Sequence, residues 1–259
     1  MTPAAALASI GSLVAGARVV EALPGGPASD SYLVGRGAER WVLRIDNPVA
    51  QQLGLDRAAE SVALGYADER GVGPRLAYID VERGVQLTGY VDGRCWTPAD
   101  LADRQQLTRL AELLRRVHGI GRQGRPLALR ERVFEYAAGI ATPAARRTAA
   151  DVAALLDELG IPQQCLCHND LVTANIIDGD ELRLIDWEYA AVGDPFFDLA
   201  IVAEHHALPD DLASCLLLAY APDAGDAQVL RLAGYRQVYA RVLELWQDFI
   251  ACVSRTTTG

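Results

Sequence analysis

Short apolar and β-branched runs dominate the first 92 residues of the chain, and apolar residues at a helical spacing dominate the rest. Residues 1–16 are small and apolar and predict a short amphipathic helix. Strands are predicted over residues 19–23, 32–34 and 41–45, the last rich in aromatic and branched side chains. Residues 56–70 carry Ala59, Val62, Ala63 and Tyr66 on one side of a helix that Gly71-Val72-Gly73-Pro74 stops. Two more strands, 76–81 and 85–87, meet at a turn around Arg83-Gly84. Beyond residues 89–93 the pattern turns helical: Leu107, Leu110, Leu114 and Val117, then 143–159, 197–205 and 227–253. The order predicts an α+β chain, with a small β-rich lobe over residues 1–92, a hinge at about 88–93, and a larger helical lobe over 93–259.

Composition narrows the classes. About half of the 259 residues are apolar, enough for substantial cores. No apolar run approaches the roughly 18 residues of a membrane helix, and the N-terminal run has no basic region before it. A net charge of −10 works against nucleic acid, whose affinity rests on neutralised phosphates. The five cysteines are scattered and odd in number, which excludes a disulfide framework and places the chain in the reducing cytoplasm. Cys165 and Cys167 form a Cys-x-Cys pair with no second pair to complete a zinc site, and read as small buried thiols. The chain has no lysine, so any cationic contact to phosphate falls to arginine.

The chemistry concentrates in one stretch. His168-Asn169-Asp170 is followed by Asn175, five residues after that aspartate, and by Ile185-Asp186, eleven after the asparagine. Each residue alone is an ordinary turn former. Together they supply a carboxylate to take a hydroxyl proton, Asp170, and two hard oxygen ligands for Mg²⁺, Asn175 and Asp186. That is the equipment of phosphoryl transfer from a nucleotide. His168 reads as a hydrogen-bonding support for the loop. Asp198 has two readings: a cap or dipole partner at a helix start, or a buried carboxylate that accepts backbone N–H groups from the loop.

The first lobe offers the opposite wall. Gly25-Gly26 between strands is either a plain hairpin turn or an anion cradle. Arg44 interrupts the apolar strand 41–45, and Glu60 follows it by sixteen residues on the predicted helix. A guanidinium there can grip phosphate and carboxylate together.

With Ile185-Asp186-Trp187-Glu188-Tyr189-Ala190, Asp194-Pro195 and Asp198-Leu199-Ala200 added, the catalytic stretch resembles the aminoglycoside phosphotransferase and choline kinase superfamily, and most of all its bacterial choline kinase-like branch, with the thiamine kinase branch close behind. The resemblance extends to Gly25-Gly26, Ser31-Tyr32, Val42-Leu43-Arg44-Ile45, Asp56-Arg57, Glu60, Thr88 to Gly93 and Val117-His118, roughly residues 19–206. It implies a protein kinase-like fold with ATP between the lobes: Gly25, Gly26 and Ser29 in the glycine loop, Arg44 with Glu60 on the phosphates, and Gly89 and Val91 at the adenine hinge. It implies Asp170 as base and Asn175 and Asp186 as Mg²⁺ ligands. The chain departs from that pattern with Ala28-Ser29 in the glycine loop and Thr173-Ala174 before Asn175.

The resemblance implies a small hydroxyl compound as the acceptor. Choline or a related amino alcohol is expected first, a thiamine or an aminoglycoside as the alternative, and a nucleotide-binding scaffold without turnover from another class. A cationic acceptor suits aromatic faces and acidic groups, for which Glu188, Tyr189 and Trp246 are the candidates, with Tyr239 seven residues before Trp246. That aromatic spacing reads either as core or as a cage facing the cleft. The enzyme is expected as a monomer or homodimer.

Overall fold

The computed structural model describes residues 1–161 and 163–257. Helix α1 (Pro3–Ile10) starts with Thr2, whose hydroxyl accepts from the Ala5 N–H, and with Pro3 at its first turn. It is shorter than the predicted helix: Gly11, at a φ of +76°, ends it, and one 3₁₀ turn (Gly11–Val14) follows. Strands β1 (Arg18–Leu23), β2 (Ser29–Arg36) and β3 (Glu39–Asp46) form a meander. β2 and β3 run beyond the apolar runs that announce them, because their outer residues are polar, with Asp30, Glu39 and Arg40 exposed. Helix α2 (Pro48–Gln52) and helix α3 (Arg57–Glu69) come next, then β4 (Leu76–Asp80) and β5 (Val85–Gly89). All pairs are antiparallel, in the order β1-β2-β3-β5-β4.

Strand alternation then gives the sheet two different faces. Trp41, Leu43 and Ile45 of β3 join Val85 and Leu87 of β5 in a core closed by Ala6 and Ile10 of α1. Arg44 points the other way, toward α3. That helix sends Ala63, Leu64 and Ala67 into the larger core of the second lobe and keeps Arg57 and Glu60 buried at its start. It therefore ties the two lobes together.

The second lobe opens with β6 (Arg94–Cys95), α4 (Pro98–Leu101), α5 (Arg104–His118), α6 (Leu129–Ile140) and α7 (Pro143–Leu159). Four short strands follow, β7 (Cys165–Cys167), β8 (Ile176–Asp178), β9 (Leu182–Leu184) and β10 (Ala191–Gly193), and then α8 (Pro195–His205), α9 (Asp210–Tyr220) and α10 (Asp226–Thr257). β7 pairs with β10, and β8 lies between β6 and β9. These hairpins hold the loops that carry the chemistry. No helix among the described residues is long and apolar enough to cross a membrane.

Four helices, α2, α4, α6 and α9, are absent from the sequence prediction, and α4, at four residues, is too short to show a period. α2 is too short for a period, although Asn47 caps it and Pro48 opens it. α6 buries only Val133, Tyr136 and Ala137, and α9 buries Ala213, Leu216 and Leu217. Stripes that narrow give little periodic signal.

Candidate active site

β7 delivers the chain to His168, and the backbone turns at Asn169 in the left-handed region, at a φ of +64°. Three tethers hold this turn. Asp198, fully buried at the start of α8, accepts the His168 N–H at 2.9 Å and the Asn169 N–H at 2.7 Å. His168 Nε2 lies 3.0 Å from the Ile185 carbonyl, and the Asn169 amide donates to the Tyr189 carbonyl at 3.0 Å. Burial pushes the His168 imidazole down, so it is neutral and donates from Nε2. Between the two readings of Asp198, the geometry selects the backbone acceptor. Asp194 takes the cap instead, accepting the Phe196 N–H at 2.9 Å.

Asp170 follows the turn. Asn175, in a 3₁₀ turn (Thr173–Asn175), donates its amide to Asp170 Oδ2 at 2.8 Å and to the Asp170 carbonyl at 2.9 Å. That orientation commits the nitrogen of Asn175 and leaves its Oδ1 as the free atom. Burial pushes the Asp170 carboxyl up to about 7; the charge of Asp186 adds to this and the Asn175 hydrogen bond opposes it. Asp186, also at a positive φ, of +63°, sits 3.5 Å from Arg44, and burial raises its carboxyl against the pull of that guanidinium.

Arg44 and Glu60 meet as the sequence predicts, at 2.5 Å and both buried. The structure adds a second guanidinium that sequence reasoning did not single out. Arg57 contacts Glu60 at 2.7 Å, Glu188 at 2.9 Å and Asp46 at 2.8 Å, and so joins β3, α3 and the segment after β9. Gln86 completes the cluster by donating to Glu60 at 3.2 Å. Burial raises the Glu60 carboxyl, but the two guanidinium groups outweigh it and hold the group below its ordinary value. Glu188 is less well compensated: burial and the neighbouring Asp186 push it up to about 7. The Arg57–Glu60 spacing of three on a helix was the one available signal.

A cavity of about 350 Å³ opens onto Asp170, Asp186 and Glu188. Its opposite walls carry Tyr136, Tyr189, Phe197, Tyr239 and Trp246, with Arg125 and Arg132 beside the 53–55 turn. Trp246 and Tyr239 therefore face the cavity, and Tyr239 also belongs to the main core at 8 % exposure. His205 Nδ1 bonds to the Tyr239 hydroxyl at 2.8 Å. Gly26 lines this cavity, whereas Gly25, Ser29, Gly89 and Val91 lie outside it. Gly25 has its own constraint: a Cβ there would stand 2.9 Å from the Ser29 carbonyl oxygen, so the turn into β2 admits glycine alone.

Asp186 lines the cavity with Asp170, and Asn175 is bonded to Asp170; both residues carry oxygens of the hard type that suits a Mg²⁺ ion. The charge count agrees. Among the described residues, Glu60, Asp186 and Glu188 pair with Arg44 and Arg57, and Asp170, Asp186 and Glu188 are pushed toward protonation. A divalent cation is the charge that would balance them.

Comparison with known proteins places the chain in a family and a fold. A model of the phosphotransferase enzyme family matches residues 19–245. LicA of Haemophilus influenzae is 27 % identical over 210 residues, which are 76 % of this chain and 61 % of that protein, so the chain spans about three fifths of that relative's length. Among solved structures, choline kinase LicA from Streptococcus pneumoniae superposes with a TM-score of 0.76 at 21 % identity, over 90 % of this chain and 86 % of that one. A LicA complex with AMP superposes equally well, at 0.76 and 19 % identity, over 97 % and 94 %. The two-lobed kinase-like fold is common to all three chains.

Proposed function

The chain belongs to the phosphotransferase enzyme family, and we propose that it uses ATP and Mg²⁺ to phosphorylate the hydroxyl of choline or a related amino alcohol. The nucleotide lies between the lobe of residues 1–92 and the lobe from residue 93, with its adenine at Gly89 and Val91 and its phosphates under the turn of Gly25, Gly26 and Ser29. When bound, the Mg²⁺ ion neutralises charge on the phosphates as it develops. Asn175 Oδ1 and Asp186 hold it.

The remaining work belongs to side chains. Arg44, fixed in direction by Glu60, reaches toward the phosphates as a rigid fork. Arg57 keeps Glu60 ionised and holds Glu60 and Glu188 in place across the lobes. Asp170 accepts the acceptor's hydroxyl proton through the carboxylate that Asn175 orients. Asp198 and His168 hold the turn that carries it, and act by positioning. Tyr189, Tyr239 and Trp246 offer ring faces to a quaternary or primary ammonium group, while the carboxylates supply the net negative field.

One observation carries the acceptor class: an aromatic-walled cavity that ends on Asp170 rather than passing it by. The LicA likeness points the same way. Turnover of ATP–Mg²⁺ with choline, ethanolamine, thiamine and a set of aminoglycosides, with Asp170→Ala as control, tests it. Preference for choline or ethanolamine supports the reading. Preference for thiamine or an aminoglycoside would reassign the acceptor, and nucleotide binding with no acceptor phosphorylated would make the protein a scaffold.

A further inference from the structure

The Cys-x-Cys pair stands behind the catalytic loop and takes no part in the chemistry above. Positions 165 and 167 of β7 share a face of the strand, and their sulfurs are 3.8 Å apart. A tetrahedral ion with metal–sulfur bonds of about 2.3 Å holds two sulfurs about 3.8 Å apart. The third group comes from the end of α5. The ligand atoms of His118, Cys165 and Cys167 all lie within 4.8 Å of one another. The sequence shows only the cysteine pair; the fold supplies the histidine from 47 residues upstream of Cys165.

The hydrogen bonds of His118 determine which nitrogen is free to bind. Nε2 lies 3.0 Å from Asp198 Oδ2, an oxygen that also accepts a backbone N–H, so the ring proton sits on Nε2. Nδ1 is then the lone pair, and at 2.8 Å it accepts from the Tyr220 hydroxyl. A carboxylate that fixes the remote N–H of a ligating imidazole is the usual outer-shell partner of a metal-bound histidine. Cys167 is fully buried, whereas Cys165 is half-buried and gives access from solvent. Besides each other, the thiols make weak contacts, Cys167 with the Cys165 carbonyl at 3.5 Å and Cys165 with the Gly193 carbonyl at 4.0 Å.

We propose that Cys165 Sγ, Cys167 Sγ and His118 Nδ1 form a binding site for a thiophilic, tetrahedral cation of the zinc class, with water in the fourth position. Binding displaces Tyr220 from Nδ1 and draws the imidazole toward the sulfur pair, while each thiol gives up its proton to solvent. Because His118 keeps its bond to Asp198, and Asp198 holds the His168 and Asn169 N–H groups, the bound ion braces the catalytic loop from behind. It is a structural site, separate from the hard-oxygen ligands Asn175 and Asp186.

The test uses the whole reduced, metal-stripped protein in excess Mg²⁺, titrated with Co²⁺ in the absence of air. One equivalent is expected to bind with a sulfur-to-metal charge-transfer absorption and the strong visible bands of a tetrahedral ion, and Zn²⁺ is expected to bleach both. Cys165→Ala should abolish the absorption while leaving the far-ultraviolet circular dichroism and the turnover of the metal-stripped protein unchanged. Zn²⁺ should raise the thermal midpoint of the unmodified protein and leave that of Cys165→Ala where it was. Tyr220→Phe, which removes the competitor for Nδ1, should tighten Co²⁺ binding several-fold. The site is refuted by a missing charge-transfer band in the unmodified protein, by its survival in the Cys165→Ala/Cys167→Ala double variant, or by loss of binding in Tyr220→Phe. The unmodified titration alone decides the matter should a variant fail to fold.

Discussion

Replacing Asp170 by asparagine should make the metal-free protein more stable and the enzyme nearly inactive. The folded protein raises the Asp170 carboxyl from 3.8 to about 7, through burial first and the charge of Asp186 second. A group raised on folding contributes stability that is complete below its unfolded value and is lost as pH rises through its folded value. Over that window the loss is about 1.4 kcal/mol for each pH unit, so the full shift corresponds to about 4 kcal/mol. Asp170 keeps part of its surface open to the cavity, and solvent there reduces the figure to about 2–3 kcal/mol. Asparagine keeps the shape, carries no charge, and still offers an oxygen to the Asn175 amide. Urea denaturation in EDTA, from pH 4 to pH 8.5, measures the difference between the two proteins, which cancels most other titrations. The variant should match the unmodified protein near pH 4 and exceed it by about 2–3 kcal/mol at pH 8, while turnover falls by about 10²–10⁴. Equal stability at both pH values, or a variant weaker at pH 8, would refute the claim that folding places an ill-compensated carboxylate at this position.

Arg57→Met should destabilise the protein by about 3–5 kcal/mol in urea denaturation at pH 8, because it strips a partner from two buried carboxylates. The cost should shrink near pH 5, where Glu188 takes up a proton in compensation. Asp198→Asn replaces an acceptor of loop N–H groups with a donor, and kcat should fall about 100-fold with little change in the KM for ATP; an unchanged kcat would remove Asp198 from the positioning of the loop. Trp246→Ala should raise the KM for choline about tenfold in a protein of normal stability, the order expected for one desolvated ring face. An unchanged KM would refute the aromatic cage.

The reach of the sequence follows from how far apart in the chain the interacting groups lie. Asp170, Asn175 and Asp186 fall within 17 positions on consecutive loops, so their spacing alone brings them together. Arg44 and Glu60 were legible for a related reason, since one strand and the next helix set their distance. Arg57 reaches Glu188 across 131 positions, and Asp198 reaches His118 across 80, and no local pattern reports either encounter. Each of those residues carries a sufficient local explanation of its own, as a first-turn helix residue or as a helix cap. Only the fold shows that Asp194 already fills the cap, which frees Asp198 for the loop.

The aromatic stripe on α10 posed a question that periodicity has no means of answering. By spacing, Tyr239 and Trp246 fit either a core stripe or a cage facing the cleft, as though the two were alternatives. The structure makes Tyr239 both: it packs against Phe197 in the main core and lines the cavity that ends at Asp170. The proposed acceptor pocket is a region of hydrophobic core with part of its volume left open, so the same apolar spacing produces it. What separates pocket from core is the missing volume, and that is set by α6 and the 53–55 turn, which contribute Tyr136, Leu53 and Leu55 to the opposite wall. Both elements were absent from the sequence prediction, because one buries too narrow a stripe and the other follows a helix of five residues. The acceptor's identity is therefore written where the sequence signal is weakest, while the reaction is written where it is strongest.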